Sequence, residues 1–279
     1  MQILDGKKLS QKILADLKKK VSNSQKEINL DIILVGDDQP SLKYVQLKQE
    51  TAKKIGIGGE IFHLKQNSTT EEVLSLIKKL NKKEDTTALM VQLPLPKKIN
   101  TNKVLSAIDP QKDADGLSPF NLGLLFQKEN QAIPAATALG IMNLLDEYKI
   151  NCHGKNVVII GRSPEVSLPL FALLMAKDAT VTICHTQTKN LKDISSRADI
   201  LISAIGQPNF IDKDFIKEGA VLIDVGFATD SQTGQVTGDF SFDQIKDLAN
   251  YITPVPGGVG PMTITTLLTN TVSIALKNN

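Results

Sequence analysis

The sequence predicts an α/β protein of two lobes, an N-terminal α/β domain and a Rossmann-type dinucleotide-binding domain, with the C-terminal helix returning to the first lobe. Three observations lead there. Short apolar runs of strand length alternate with helix-length amphipathic stretches, the pattern of parallel sheets covered by helices. A chain of 279 residues is long for one core and comfortable for two domains of roughly 100–150 residues each. Finally, the periodicity breaks at Gly116, Pro119, Gly123 and Pro134 and again across Pro254–Thr263, where glycine and proline punctuate the chain.

Taken in order, helical periodicity covers Leu9–Val21, and the apolar run Asp31–Val35 reads as a buried strand. Ser41–Ile55 and Thr70–Leu80 are again helical, the second opened by Ser68-Thr69-Thr70-Glu71-Glu72, a capping signal. Ala88–Leu93 is the next strand, and a domain boundary is expected within Asp113–Thr137. The second lobe begins with a helix over Pro134–Tyr148, followed by strands at Val157–Ile160, Thr180–Ile183, Ile200–Ile205 and Val221–Val225. A last helix is expected over Met262–Leu276. The domains then comprise residues 1–137 together with 258–279, and residues 138–257.

Composition excludes several classes of function. With 41% apolar and 22% charged residues and a formal net charge of +2, the chain is ordinary for a globular protein and implies no nucleic-acid or membrane partner. Lysine clusters such as Lys18-Lys19-Lys20 and Lys53-Lys54 fall on predicted helices among acidic residues and read as solvated faces. Two cysteines, Cys152 and Cys184, and three histidines show no spacing that resembles a zinc site, so no metal is expected. Cys152-His153, flanked by Asn151 and Gly154, reads as a structural turn before a strand. The N-terminus has no basic stretch followed by an apolar one, and no run of about 18 apolar residues occurs, so a cytoplasmic location is expected.

Chemistry concentrates in a few segments. Pro254–Thr263 holds three glycines and three prolines in ten residues and reads as a shaped loop, since glycine costs backbone entropy and proline lacks a donor. A linker would be more polar than a stretch carrying Val255, Val259 and Met262. Gly161-Arg162-Ser163 ends a buried strand before a helix, where a sheet of this kind presents N–H groups to a phosphate. The full glycine-rich fingerprint is absent, and Ser167 occupies a plausible second position. Arg162, with Ile183-Cys184-His185-Thr186 ending the neighbouring strand, suits a 2′-phosphate and favours NADP over NAD, though Arg162 could equally be a solvent-facing turn residue. Tyr44 and Lys48 stand i, i+4 on a helix and share a face, a spacing that also arises by chance in lysine-rich helices. Gln92, amid apolar residues at a strand end, needs a hydrogen-bonding partner if buried. Asp115, in Asp113-Ala114-Asp115-Gly116, offers a carboxylate in what could be an ordinary turn.

Together these segments resemble the bifunctional methylenetetrahydrofolate dehydrogenase/cyclohydrolase family over almost the whole chain. The matching residues are Ile33–Asp38, Ser41–Tyr44, Lys48 to Ile55-Gly56-Ile57, Val91–Pro96, Lys112–Leu117, Gly161–Ser163, Asp224–Gly226, Gly238-Asp239 and Tyr251–Thr263. The resemblance implies NADP-dependent oxidation of 5,10-methylenetetrahydrofolate and hydrolysis of the methenyl product to 10-formyltetrahydrofolate, one-carbon chemistry that serves purine biosynthesis. It implies catalytic roles for Lys48, its pKa lowered by a partly apolar site and its amine held by Gln92, and for Tyr44, Gln92 and Asp115. Folate contacts would come from these four with Val91, Leu93, Pro256, Gly257, Gly258, Val259, Gly260, Pro261, Met262 and Thr263. Gly161, Arg162, Ser163, Thr186 and Phe227 would bind the cofactor, Phe227 on the nicotinamide side. It further implies a homodimer assembled through the cofactor lobes. The chain departs from the family pattern at Ala138, where proline is usual, at Ser167, where glycine is, and at Phe227-Ala228, where an Ile-Asn pair is. A two-lobed dehydrogenase laid out like shikimate dehydrogenase has no reason to carry Tyr44 and Lys48 with the 254–263 loop. A non-catalytic relative has no reason to keep Lys48 with Gln92.

Overall fold

A computed structural model describes residues 1–229 and 236–277. From the N-terminus run β1 (Gln2–Ile3), α1 (Gly6–Ser22), β2 (Leu30–Val35), α2 (Gln39–Lys54), β3 (Ile61–Leu64), α3 (Thr70–Lys82) and β4 (Ala88–Val91). Next come α4 (Thr101–Ala107), α5 (Pro119–Phe126), α6 (Ala136–Glu147), β5 (Asn156–Ile160), α7 (Ser167–Ala176), β6 (Thr180–Cys184), α8 (Leu191–Ser195) and β7 (Ile200–Ser203). The chain ends with β8 (Val221–Asp224), β9 (Ala228–Thr229), β10 (Val236–Thr237), α9 (Phe242–Ile245), β11 (Tyr251–Ile252) and α10 (Val259–Lys277). It divides into two compact units, Met1–Gln11 with Thr137–Thr263 and Lys12–Ala136 with Ile264–Asn279.

The unit built on Lys12–Ala136 holds a three-stranded parallel sheet in the order β3-β2-β4. All six residues of β2 are buried, as a strand covered on both faces requires. Edge strand β3 escaped sequence reading because its four residues include the half-exposed His63, which interrupts the apolar run. Helix α3 starts as its sequence promises: Thr69 accepts from the Glu72 N–H and the Glu72 carboxylate accepts from the Thr69 N–H, a reciprocal capping box. The C-terminal helix fills this unit's core with Leu267, Leu268, Val272 and Ile274. Each such side chain removed from water contributes about 1.5–3 kcal/mol. Helix α10 is 19 residues long and apolar enough to cross a membrane by length and composition, but most of it is buried within the protein.

The other unit is built on a six-stranded sheet in the order β1-β11-β8-β7-β5-β6, parallel throughout. The central pairs are in register, Ile160 opposite Cys184 and Ser203 opposite Asp224, so strands β5 to β8 end along one edge. Ligands bind at that edge in such sheets. Strands β1 and β11, of two residues each, are too short for a periodicity to register. Helix α10 begins at Val259, three residues before the expected Met262, so the end of the 254–263 segment is helical rather than loop. Pro261 is tolerated there because N–H groups in a first helical turn have no intrahelical acceptor to lose.

Candidate functional site

Helix α2 sets the first cluster. Asp38 caps it, accepting from the Ser41 N–H at 3.0 Å and the Ser41 hydroxyl at 2.7 Å, contacts that hold its carboxyl below the usual range. One turn separates Tyr44 from Lys48, and the Lys48 Nζ lies 4.6 Å from the centre of the Tyr44 ring. Strand β4 brings the partners: Nζ donates to Gln92 Oε1 at 2.9 Å and lies 3.6 Å from Met90 Sδ. Lys48 is 3% exposed. Burial lowers its pKa from 10.5 to about 8, with the Asp115 charge pulling the other way. A lysine so placed exists as both free amine and ammonium near neutrality, which suits proton transfer. Gln92 is held in turn by its side-chain amide, which donates to the Leu93 carbonyl, and by its own N–H, which donates to Ile33 O at 2.8 Å.

Asp115 stands on a turn organised by Asp113, a residue that sequence reading passed over in favour of its neighbour. The wholly buried Asp113 carboxylate accepts from the N–H groups of Gly116 at 3.0 Å, Leu117 at 3.4 Å and Ser118 at 2.8 Å, and from Asn121 Nδ2 at 3.0 Å. Asn270 braces the same turn, its Nδ2 donating to Ala114 O and Pro134 O at 2.9 Å each. An aspartate with glycine at i+3 was the available signal for Asp113. No local signal marks Asn270, whose partners lie 156 and 136 residues away.

The residues from Pro254 to Thr263 belong to the unit with the six-stranded sheet. Gly258 N donates to Pro254 O at 2.8 Å, Lys7 N donates to Gly257 O at 2.9 Å, and the Thr263 hydroxyl donates to Thr137 Oγ1 at 3.2 Å. A Cβ on Gly258 would lie 2.7 Å from Pro254 O, so the tight turn requires glycine there.

At the edge where β5 to β8 end, Gly161 has φ +128°, and a Cβ on it would meet Ala204 O at 2.7 Å. Arg162 and Thr186 are exposed, Ser163 is half-buried with its Oγ accepting from Val166 N at 3.2 Å, and Phe227 is 68% exposed. The turn after β6 is closed by Thr188 rather than Thr186, its Oγ1 accepting from His185 N at 2.8 Å. Helix α7 opens at Ser167, whose buried Oγ has no hydrogen-bond partner among the described residues. A glycine turn beside a helix N-terminus at this edge fits the diphosphate of a dinucleotide, with the Ser167 hydroxyl itself sealed beneath the turn.

Comparison with known proteins agrees. Residues 4–115 match the family described as tetrahydrofolate dehydrogenase/cyclohydrolase, catalytic domain, and residues 135–279 match its NAD(P)-binding domain. The chain is 48% identical to the bifunctional protein FolD of Thermodesulfovibrio yellowstonii, covering 98% of this chain and 96% of that one. The crystal structure of the Campylobacter jejuni bifunctional enzyme FolD, a methylenetetrahydrofolate dehydrogenase/cyclohydrolase, superposes with a TM-score of 0.97 at 41% identity, covering all of both chains. The Trypanosoma brucei enzyme, solved with NADP cofactor and inhibitor, gives 0.94 at 36% identity, covering 99% of this chain and 97% of that one.

Proposed function

Because the chain belongs to the tetrahydrofolate dehydrogenase/cyclohydrolase family, we propose how its residues divide the two reactions of that family. The enzyme oxidises 5,10-methylenetetrahydrofolate with NADP⁺ to the 5,10-methenyl cation and hydrolyses that cation to 10-formyltetrahydrofolate. The observation that carries the assignment of roles is the buried Lys48 amine, held by Gln92 with its pKa lowered to about 8.

Oxidation needs no strong base, because the N5 and N10 lone pairs stabilise the cation left when hydride departs. Bound NADP⁺ supplies the hydride acceptor. The chain's task is to orient the two reactants. The Gly161 turn and the start of α7 would hold the diphosphate, Arg162 with Ser163 and Thr186 the 2′-phosphate, and Phe227 the nicotinamide side.

In hydrolysis, water adds to the methenyl carbon and one of its protons passes to the Lys48 free amine, leaving a neutral carbinolamine. The Lys48 ammonium then returns that proton to N5 as the carbon–N5 bond breaks. The remaining hydroxyl proton leaves to solvent as the formyl C=O forms, so one proton is released overall. Gln92 aims the amine, Tyr44 stacks on the folate, and Asp115 accepts from the pterin edge while favouring the ammonium form. Val91, Leu93 and Pro256–Thr263 complete the substrate contacts. By function we assign residues 1–137 with 258–279 to folate and 138–257 to cofactor, although residues 1–11 and 258–263 fall in the same compact unit as the six-stranded sheet. The enzyme acts in the cytoplasm as a homodimer joined through its cofactor lobes, without nucleic-acid or membrane partners, and its product serves purine biosynthesis.

Purified protein mixed with 5,10-methylenetetrahydrofolate should reduce NADP⁺ in preference to NAD⁺, with little build-up of methenyl absorbance. Reduction with accumulating methenyl product would mean a dehydrogenase whose second step is weak or lost, and no reduction with either nucleotide would overturn the cofactor assignment. The turn carrying Asp115 gives a second test. Asp113→Asn puts an amide nitrogen where N–H groups now donate, and is expected to cost about 2–3 kcal/mol of stability in urea denaturation. It should raise the folate KM of both activities about tenfold. A variant with wild-type folate KM would detach Asp113 from the presentation of Asp115.

A further inference from the structure

Two carboxylates lie buried behind the cofactor edge, Asp224 at 4% exposure and Asp239 at 1%. Asp239 Oδ2 accepts from the Ser203 hydroxyl at 2.7 Å and the Ile205 N–H at 2.9 Å, and Oδ1 accepts from the Gln207 N–H at 2.8 Å. It therefore fixes the loop that follows β7. Asp224 Oδ1 accepts from the Gly226 N–H at 2.9 Å and the Asp239 N–H at 3.0 Å, and Oδ2 accepts from the Phe240 N–H at 3.1 Å. That carboxylate fixes the loop after β8 and seats Asp239 itself.

The glycines interlock with the acids. A Cβ on Gly226 would collide with the Asp239 carboxylate, and one on Gly238 with the Asp224 carboxylate. Neither glycine has positive φ, so close approach rather than backbone conformation requires them. The loop held by Asp239 includes Ala204, whose carbonyl closes on Gly161. A continuous set of contacts thus runs from the buried acids to the turn assigned to the diphosphate. Burial pushes Asp224 up to about 7, with the Asp239 charge adding and the three N–H groups opposing, so Asp224 can take up a proton near neutrality and relieve the repulsion between the acids.

We propose that Asp239, seated by Asp224, is a positioning residue for the dinucleotide, its carboxylate holding the loop after β7 in the shape that NADP requires while Asp224 holds the loop after β8. The inference rests on the cofactor assignment above. A carboxylate is needed because three donors, one at the end of β7 and two in the loop after it, converge on it, and an amide in its place turns a donor toward one of them.

The test measures KM for NADP⁺ and kcat of the dehydrogenase, and hydrolysis of 5,10-methenyltetrahydrofolate, in the same preparations of full-length protein. Asp239→Asn should raise KM for NADP⁺ about tenfold while kcat at saturating cofactor and hydrolysis stay within about twofold. Ser203→Ala, a milder change that removes one donor to Asp239, should raise it about threefold. Asp199→Asn is the control. Asp199 accepts from the Asn156 N–H at 2.9 Å and pairs with Lys217 at 2.6 Å, at the opposite ends of the same strands. Its loss should lower the melting temperature without moving KM. Wild-type KM in Asp239→Asn, or an equal rise in Asp199→Asn, would reduce Asp239 to a structural residue and overturn the inference. If Asp239→Asn does not fold, a wild-type KM in Ser203→Ala overturns it instead. A wild-type enzyme that fails to reduce NADP⁺ would overturn the cofactor assignment, and the inference with it.

Discussion

Lys48→Met is expected to lower hydrolysis of 5,10-methenyltetrahydrofolate on the order of 1,000-fold, within the range that a positioned acid–base group contributes, while the protein stays folded and becomes more stable. Methionine keeps the length and apolar stem and removes only the amine. The stability gain follows from the environment. Lowering the Lys48 pKa from 10.5 to about 8 corresponds to a cost on the order of 3 kcal/mol for holding the ammonium in the fold. The Gln92 oxygen left without its donor returns about 1 kcal/mol of that gain, so a net increase of about 2 kcal/mol is expected by denaturation at pH 7. The pH dependence is distinctive. Below about pH 8 both folded and unfolded states hold the proton, and the penalty is present in full. Between about 8 and 10.5 the unfolded chain keeps the proton that the folded chain has lost, so wild-type stability rises with pH across that window. The Lys48→Met curve should lack that rise. A variant that hydrolyses at the wild-type rate would end the role of Lys48, whatever its stability.

Stability gained as activity is lost is the expected trade where a charged group is held in an apolar site for chemistry. It also explains what was legible in the sequence. Strands β2, β4, β5, β7 and β8 were readable because burial on both faces leaves uninterrupted apolar runs. Tyr44 and Lys48 were readable as a pair because helical spacing is local, and Gln92 because an amide in such a run demands a partner. That Lys48 is the partner is marked by no local pattern and came only with the family resemblance, since the two are 44 residues apart and meet only through the sheet. Asp113 and Asp239 were quoted within motifs but not given their roles for the same reason in different degree. The Asp113 donors lie three to eight residues away, whereas those of Asp239 lie 32 to 36 residues away. The one local rule that misled was the exclusion of Gly-Val-Gly-Pro from a helix. It holds for helix interiors and fails for the first turn, where proline loses nothing.

Gly161→Val is expected to remove the dehydrogenase and spare the hydrolase. A valine at φ +128° is strained at the backbone by roughly 1–3 kcal/mol, and its Cβ would sit 2.7 Å from Ala204 O, a main-chain atom that cannot rotate away. The turn or the loop after β7 must therefore shift, on the scale of 1 Å. Displacements of that size at a positioning site cost about 100-fold, and the loss should fall on kcat/KM for NADP⁺ by at least that factor. Hydrolysis depends on Lys48, Gln92, Asp115 and Tyr44, all in the unit that contains Lys12–Ala136, and should remain within about twofold of wild type. Retained hydrolysis is itself the control for folding. Lys48→Met and Gly161→Val thus remove opposite halves of one enzyme, and supplied together they should convert 5,10-methylenetetrahydrofolate to 10-formyltetrahydrofolate only through methenyl product released by one and taken up by the other. A transient of methenyl absorbance, absent from wild type, is the expected trace. If Gly161→Val loses both activities in step while remaining folded, hydrolysis needs the cofactor turn in place and the assignment of the two reactions to separate residues fails.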